Sequence, residues 1–154
     1  MTTIQSLKWE GVMPAVTTQF SATGELELEA FSQNLAFQKE AGVHGFILGG
    51  TLGEASTLTS EEKKQLLNKA KQIAKNDIPV IMNIAEQSTK EAISAVSLAE
   101  KIEADGLMLL PPMRYKATDQ ETIAYFEAIA QRTSLPIMIY NNPIDYKIKV
   151  TLAI

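Results

Sequence analysis

Short, continuous apolar runs alternate with amphipathic helical stretches along this chain, and no other property narrows its possible folds as far. The runs are Gly11–Thr18, Gly45–Gly50, Pro79–Ala85, Gly106–Leu110 and Pro136–Pro143. A strand–helix unit thus recurs about every 30 residues, the size of a βα repeat. Strands with one wet face alternate apolar and polar residues. These do not, which marks a parallel sheet covered by helices. A (βα)8 barrel and an open doubly wound sheet both satisfy the pattern, and periodicity does not choose between them.

The stretches between the runs carry helix signals. Leu28, Phe31 and Leu35 recur at helical spacing, with Glu25, Glu27 and Glu29 near the positive end of the helix and Gly42 as its stop. Thr59 with Glu62, Ser88 with Glu91, and Thr118 with Glu121 read as three capping boxes. The apolar stripes behind them are Leu66, Leu67, Ala70, Ile73 and Ala74, then Ala92, Val96, Ala99 and Ile102, then Ile123, Phe126, Ile129 and Ala130.

Composition removes several function classes. A net charge of −4 and a pI near 5.1 argue against nucleic acid or an anionic membrane surface as main partner. The absence of cysteine excludes disulfides, thiolate zinc sites and a cysteine nucleophile. The N-terminus lacks a basic start followed by an apolar run, so no signal peptide is read there. No apolar run is long enough to cross a bilayer. A cytoplasmic protein is expected.

Parallel strands bring their carboxyl ends to one face, and each run here ends in chemically capable residues. Thr17 and Thr18 follow the first, Thr51 and Glu54 the second, and Asn83 and Glu86 the third. Met113, Arg114 and Tyr115 follow the fourth, and Tyr140, Asn141 and Asn142 the fifth. The loop Gly49-Gly50-Thr51-Leu52-Gly53-Glu54 stands where a strand hands over to a helix. Its N–H groups and the Thr51 hydroxyl suit a small carboxylate, although the loop taken by itself reads first as a tight turn with a polar surface. A phosphate loop fits poorly, for no lysine follows the glycines.

Tyr140 reads either as a proton shuttle working with a hydroxyl such as that of Thr51, or as a buried tyrosine with one hydrogen bond. For Glu54, holding the loop through backbone N–H groups is favoured over a general-base role. Arg114 could bind a substrate carboxylate, but a lone arginine is more usual on a rim. His44, the only histidine, is read as structural. Lys147 and Lys149 look solvated and are not nominated as nucleophiles.

Gly50-Thr51-Leu52-Gly53-Glu54 after the second strand and Tyr140-Asn141-Asn142-Pro143 at the end of the fifth resemble the dihydrodipicolinate synthase / N-acetylneuraminate lyase family. The resemblance runs from about Gly11 to the end of the chain. It implies a (βα)8 TIM barrel, of which residues 1–154 hold about the first five strands and four helices. It further implies a class I enzyme without metal or other cofactor, usually a homotetramer. A lysine would form a Schiff base with pyruvate or a related 2-keto acid, and the enamine would attack an aldehyde or be released by the reverse cleavage. Carried over, Thr51 and the N–H groups of Thr51 and Leu52 would hold the carboxylate, with Arg114 as a further substrate-binding candidate. Gly50 and Gly53 would shape the loop, and Tyr140 would shuttle protons.

The departures from the family pattern are informative. Many members have a second hydroxyl residue where Leu52 stands. Met113 and Arg114 occupy the place of an aromatic pair, with Tyr115 one position late. Asp145 stands where the synthase has an arginine for its acidic aldehyde. These residues point to a sugar-acid or other 2-keto-acid branch rather than a true synthase. The Schiff-base lysine belongs on a sixth strand, beyond Ile154, and Val150–Ile154 reads as the start of a fifth helix. The chain is therefore expected to be the N-terminal part of a longer protein and inactive alone. The alternative is a half-barrel binding or assembly module. An open nucleotide-binding sheet is weaker, because the first strand–helix turn lacks a Gly-x-Gly-x-x-Gly fingerprint.

Overall fold

The computed structural model describes residues 7–112 and 115–151. Helices and strands alternate in it as α1 (Leu28–Glu40), β1 (Phe46–Leu48), a 3-10 turn (Thr51–Gly53), α2 (Ser60–Ala74), β2 (Val80–Ile84), α3 (Thr89–Lys101), β3 (Gly106–Leu109), α4 (Asp119–Ala130), β4 (Ile137–Ile139) and the short α5 (Pro143–Tyr146). The four strands form one parallel sheet in the order β1-β2-β3-β4. Ile47 pairs with Ile81, Met82 with Leu107 and Met108 with Met138.

Alternate strand residues separate into two apolar clusters. Phe46, Leu48, Val80, Met82, Ile84, Leu107 and Leu109 pack on the helices. Ile47, Ile81, Met108 and Leu110 form a smaller cluster on the other face, joined by Met13, Met138 and Tyr146. Period-two alternation between two buried faces explains the continuous apolar runs.

Two of the three expected capping boxes are complete. Thr59 N donates to Glu62 at 2.7 Å while Glu62 N donates back to Thr59 Oγ1 at 3.3 Å, and Thr118 with Glu121 repeats the arrangement. Ser88 forms only half a box. Its Oγ accepts from Glu91 N, but the Glu91 carboxylate takes the Ser88 hydroxyl at 2.9 Å instead of the backbone N–H. Gly42, at φ 86°, follows α1 as expected of a left-handed stop.

Lysines tie the helices to the amino ends of the strands. Lys39 Nζ reaches from α1 to the carbonyls of Ile73 and Ala74, at the last turn of α2, and to Asp77. Lys71 grips Asp105, whose carboxylate also accepts from Val80 N at 2.7 Å.

The expected first strand is largely lost. Ala15 makes an isolated parallel bridge to Ile47, through Ile47 N to Pro14 O at 3.0 Å and Val16 N to Ile47 O at 2.9 Å. A further rung toward the N-terminus needs an N–H at Pro14, which proline lacks. The fifth expected strand, Pro136–Pro143, is also shorter. β4 stops at Ile139, Asn142 caps α5 by accepting from Asp145 N, and Pro143 opens that helix, where its fixed φ suits the first turn. The expected helix from Val150 falls mostly outside the described residues.

Candidate active site

Gly49 turns the chain out of the sheet at φ 67°, a left-handed conformation that disfavours other residues. Gly50 then caps the 3-10 turn, where Gly53 N donates to Gly50 O and Glu54 N to Thr51 O. The N–H groups of Thr51 and Leu52 meet no acceptor among the described residues, as expected of the first amides of a helical turn. Thr51 is exposed, its hydroxyl is uncommitted among those residues, and Leu52 is 70% exposed.

The steric need for glycine lies at one of the two positions expected from the sequence. A Cβ on Gly53 would stand 2.9 Å from the Val16 carbonyl oxygen, closer than such contacts allow. On Gly50 it would meet only Ala15 Cβ at 4.0 Å. Glu54 does not hold the loop with its side chain, which has no partner among the described residues. It acts through its backbone, accepting from Thr57 Oγ1 at 2.8 Å and Thr57 N at 2.9 Å, at a left-handed φ of 56°.

Tyr140 lies just past β4, its N–H bonded to Leu109 O at 2.9 Å. Its ring is 39% exposed and meets Tyr146 edge-on, with centroids 6.1 Å apart. Its hydroxyl is not buried and makes no hydrogen bond among the described residues, Thr51 included. Both residues stand at carboxyl ends of parallel strands. Asn141 closes the following loop through bonds to Val150 O and N at 2.8 and 3.2 Å. Arg114 and Met113 lie outside the described residues.

His44 is structural: its Nδ1 accepts from Val12 N at 3.0 Å. Lys147 and Lys149 are exposed. Among the described residues no three His, Asp or Glu side chains gather as metal ligands, and no helix is long and apolar enough to cross a membrane.

Two residues already noted at the strand ends take a role the sequence does not assign them, holding the loop. Thr18 Oγ1 donates to Gly53 O at 2.7 Å, and Asn83 Nδ2 donates to Gly49 O at 2.8 Å. The signal for Asn83 was an amide inside an otherwise apolar strand. Nothing in the sequence separates Thr18 from Thr17. Behind the loop, Lys63 of α2 pairs with Glu86 at 2.6 Å. Burial, then the Glu86 charge, raises the Tyr125 phenol well above its usual range.

The sequence profile of the Dihydrodipicolinate synthetase family matches residues 8–153. The chain belongs to that family. Among its dihydrodipicolinate synthetase relatives, the 4-hydroxy-tetrahydrodipicolinate synthase of Exiguobacterium sibiricum is 36% identical over 151 residues, covering 94% of this chain and 52% of the relative. That of Thermotoga neapolitana is 36% identical over 135 residues, covering 88% and 46%. The chain thus spans about half the length of the curated relatives it matches.

Solved structures of the family superpose closely. The synthase of Methylacidiphilum fumariolicum SolV gives a TM-score of 0.89 at 32% identity, covering 95% of this chain and 48% of that one. YagE of E. coli K12, a family member in complex with pyruvate, gives 0.84 at 31%, covering 94% and 49%. The parallel sheet and its helices are accordingly part of a TIM barrel, which decides between the two folds that periodicity left open.

Proposed function

We propose that this chain supplies the keto-acid pocket of a class I, metal-independent aldolase or lyase acting on pyruvate or a related 2-keto acid. The carrying observation is the Gly49–Glu54 loop, which leaves the Thr51 and Leu52 N–H groups and the Thr51 hydroxyl free at the carboxyl end of a barrel strand. Family membership adds the chemistry. A lysine amine adds to the keto carbon and water leaves, giving an imine. Loss of a proton from the adjacent carbon gives an enamine, whose carbon attacks an aldehyde; the reverse order cleaves.

In this reading Thr51 and the two N–H groups hold the carboxylate, with Arg114 as a further contact. Tyr140 moves protons at the imine, for which an exposed phenol with no protein partner is suited. Gly50 and Gly53 give the loop its close backbone approach. The lysine belongs to the strand after Tyr140, so residues 1–154 are the N-terminal part of one barrel and bind keto acid without trapping it. The complete protein is read as a cytoplasmic homo-oligomer, a tetramer as in the family.

Asp145 supports a sugar-acid or other 2-keto-acid branch. Its carboxylate accepts from Asn142 Nδ2 at 2.6 Å and remains exposed, so a negative charge stands where an acidic aldehyde would enter. Intact mass after incubation with pyruvate and borohydride tests the proposal. The 16.9 kDa chain is expected to stay unmodified, and the complete protein, roughly twice that mass, to gain a reduced pyruvate adduct. A complete protein that stays unmodified overturns the reading.

A further inference from the structure

The loop that carries Thr51 is gripped by side chains from both neighbours of β1. Thr18 follows the segment that bridges to β1 on one side, and Asn83 lies on β2 on the other. Thr18 Oγ1 takes the carbonyl of Gly53, and Asn83 Nδ2 takes that of Gly49. The two acceptors flank Thr51 by two residues on either side. Both carbonyls are therefore turned toward the sheet, and neither bond belongs to the strand ladder.

The chemistry of Asn83 favours a purpose beyond packing. The residue is 3% exposed within a strand whose other members are apolar. Its Oδ1 is buried with no protein partner, and a buried polar atom left so weakens the fold. An apolar residue would serve the sheet better. The one protein bond the side chain makes goes to the loop, and it fixes the amide orientation, since Oδ1 facing a carbonyl oxygen would repel it. Thr18 is likewise 9% exposed and spends its hydroxyl on the loop.

We infer that Asn83 and Thr18 are positioning residues that set Thr51 and its backbone for the carboxylate of a 2-keto acid. This rests on the keto-acid reading above. Each bond restrains a different end of a short loop. Losing one lets that end rotate and misdirects the carboxylate contacts while leaving the proton chemistry at Tyr140 intact.

The test is pyruvate affinity of the purified protein, followed by amide NMR shifts, alongside KM and kcat of the complete enzyme. Thr18→Val keeps the shape and removes the hydroxyl; Thr18→Ser keeps the hydroxyl. The expected result is Kd and KM on the order of tenfold higher in Thr18→Val, with kcat nearly unchanged and Thr18→Ser close to wild type. Asn83→Leu is expected to match Thr18→Val. A purely structural role would lower Tm without moving KM of the folded protein, and that outcome overturns the inference while the keto-acid reading stands. Wild type that binds no pyruvate overturns both. Should neither variant fold, the wild-type Asn83 side-chain amide signal decides: it shifts on pyruvate titration if the inference holds and stays fixed if it does not.

Discussion

Lys63 Nζ lies 2.6 Å from Glu86 Oε1, joining the first turn of α2 to the loop after β2, and the two side chains keep only 14% and 19% of their exposure. Removing one partner of a mostly buried pair strands the other charge. Lys63→Met is expected to cost on the order of 2–3 kcal/mol, below the cost for a fully buried pair because some water still reaches both groups. Lys63→Met combined with Glu86→Leu should recover most of that loss. Urea unfolding of the two variants checks both statements.

Tyr125 gives a prediction at the alkaline end. Burial, then the Glu86 charge, raises its phenol above the ordinary value of 10. The native fold favours the neutral form, so its contribution is constant below pH 10 and is lost as pH climbs beyond it. Difference spectrophotometry of the wild type against Tyr125→Phe is expected to place the ionisation of the Tyr125 phenol above its ordinary value. In Tyr125→Phe the alkaline loss of stability should shrink.

The acidic end is governed by the helix caps. Glu62 is held below the usual glutamate range by the Thr59 hydroxyl and then the Thr59 N–H; Glu121 is held there by the Thr118 N–H and then its hydroxyl. A depressed carboxylate stabilises the fold above its unfolded value of 4.5 and loses that contribution as pH falls through the lower native value. Thermal melts are expected to fall in Tm below about pH 4.5, and Glu62→Gln with Glu121→Gln to flatten that fall.

Gly53→Ala and Gly50→Ala should behave differently. The first places a methyl against a fixed backbone oxygen and is expected to destabilise by about 1–3 kcal/mol. The second has open room and should change Tm little. Equal effects at both sites would sink the steric account of the loop.

Tyr140→Phe separates fold from chemistry. The ring contact with Tyr146 survives and no described hydrogen bond is lost, so Tm should hold. If Tyr140 moves protons, kcat of the complete enzyme should drop by roughly 10²–10⁴-fold.

Much of the fold is legible in the residues alone. Continuous apolar runs gave the parallel sheet, and Thr59 and Thr118 marked the starts of α2 and α4 to the residue. The glycine-rich loop was found because strand-to-helix turns concentrate chemistry. What was not legible depends on contacts distant in sequence. Thr18 and Gly53 are 35 residues apart, Asn83 and Gly49 34. The first strand is cut short for a local reason: the run Gly11–Thr18 contains Pro14, whose missing N–H removes the next rung toward the N-terminus. Ser88 shows the limit of motif reading: its hydroxyl bonds the Glu91 carboxylate while its N–H does not, although the same pattern at Thr59 and Thr118 brings both donors to one carboxylate oxygen.

The ties made by Lys39 and Lys71 sit at the amino ends of the strands, while Thr51 and Tyr140 stand at the carboxyl ends. Two of the helix ties thus lie on the rim opposite the proposed site, while the Lys63–Glu86 tie lies on the same rim as that site. Substitutions on the proposed site's rim that spare Lys63 and Glu86 leave these ties between helices and sheet in place. A change of substrate would then cost such a chain less than a change of fold: among the described residues Asp145 and Leu52 hold no helix to the sheet, whereas Asp105 does.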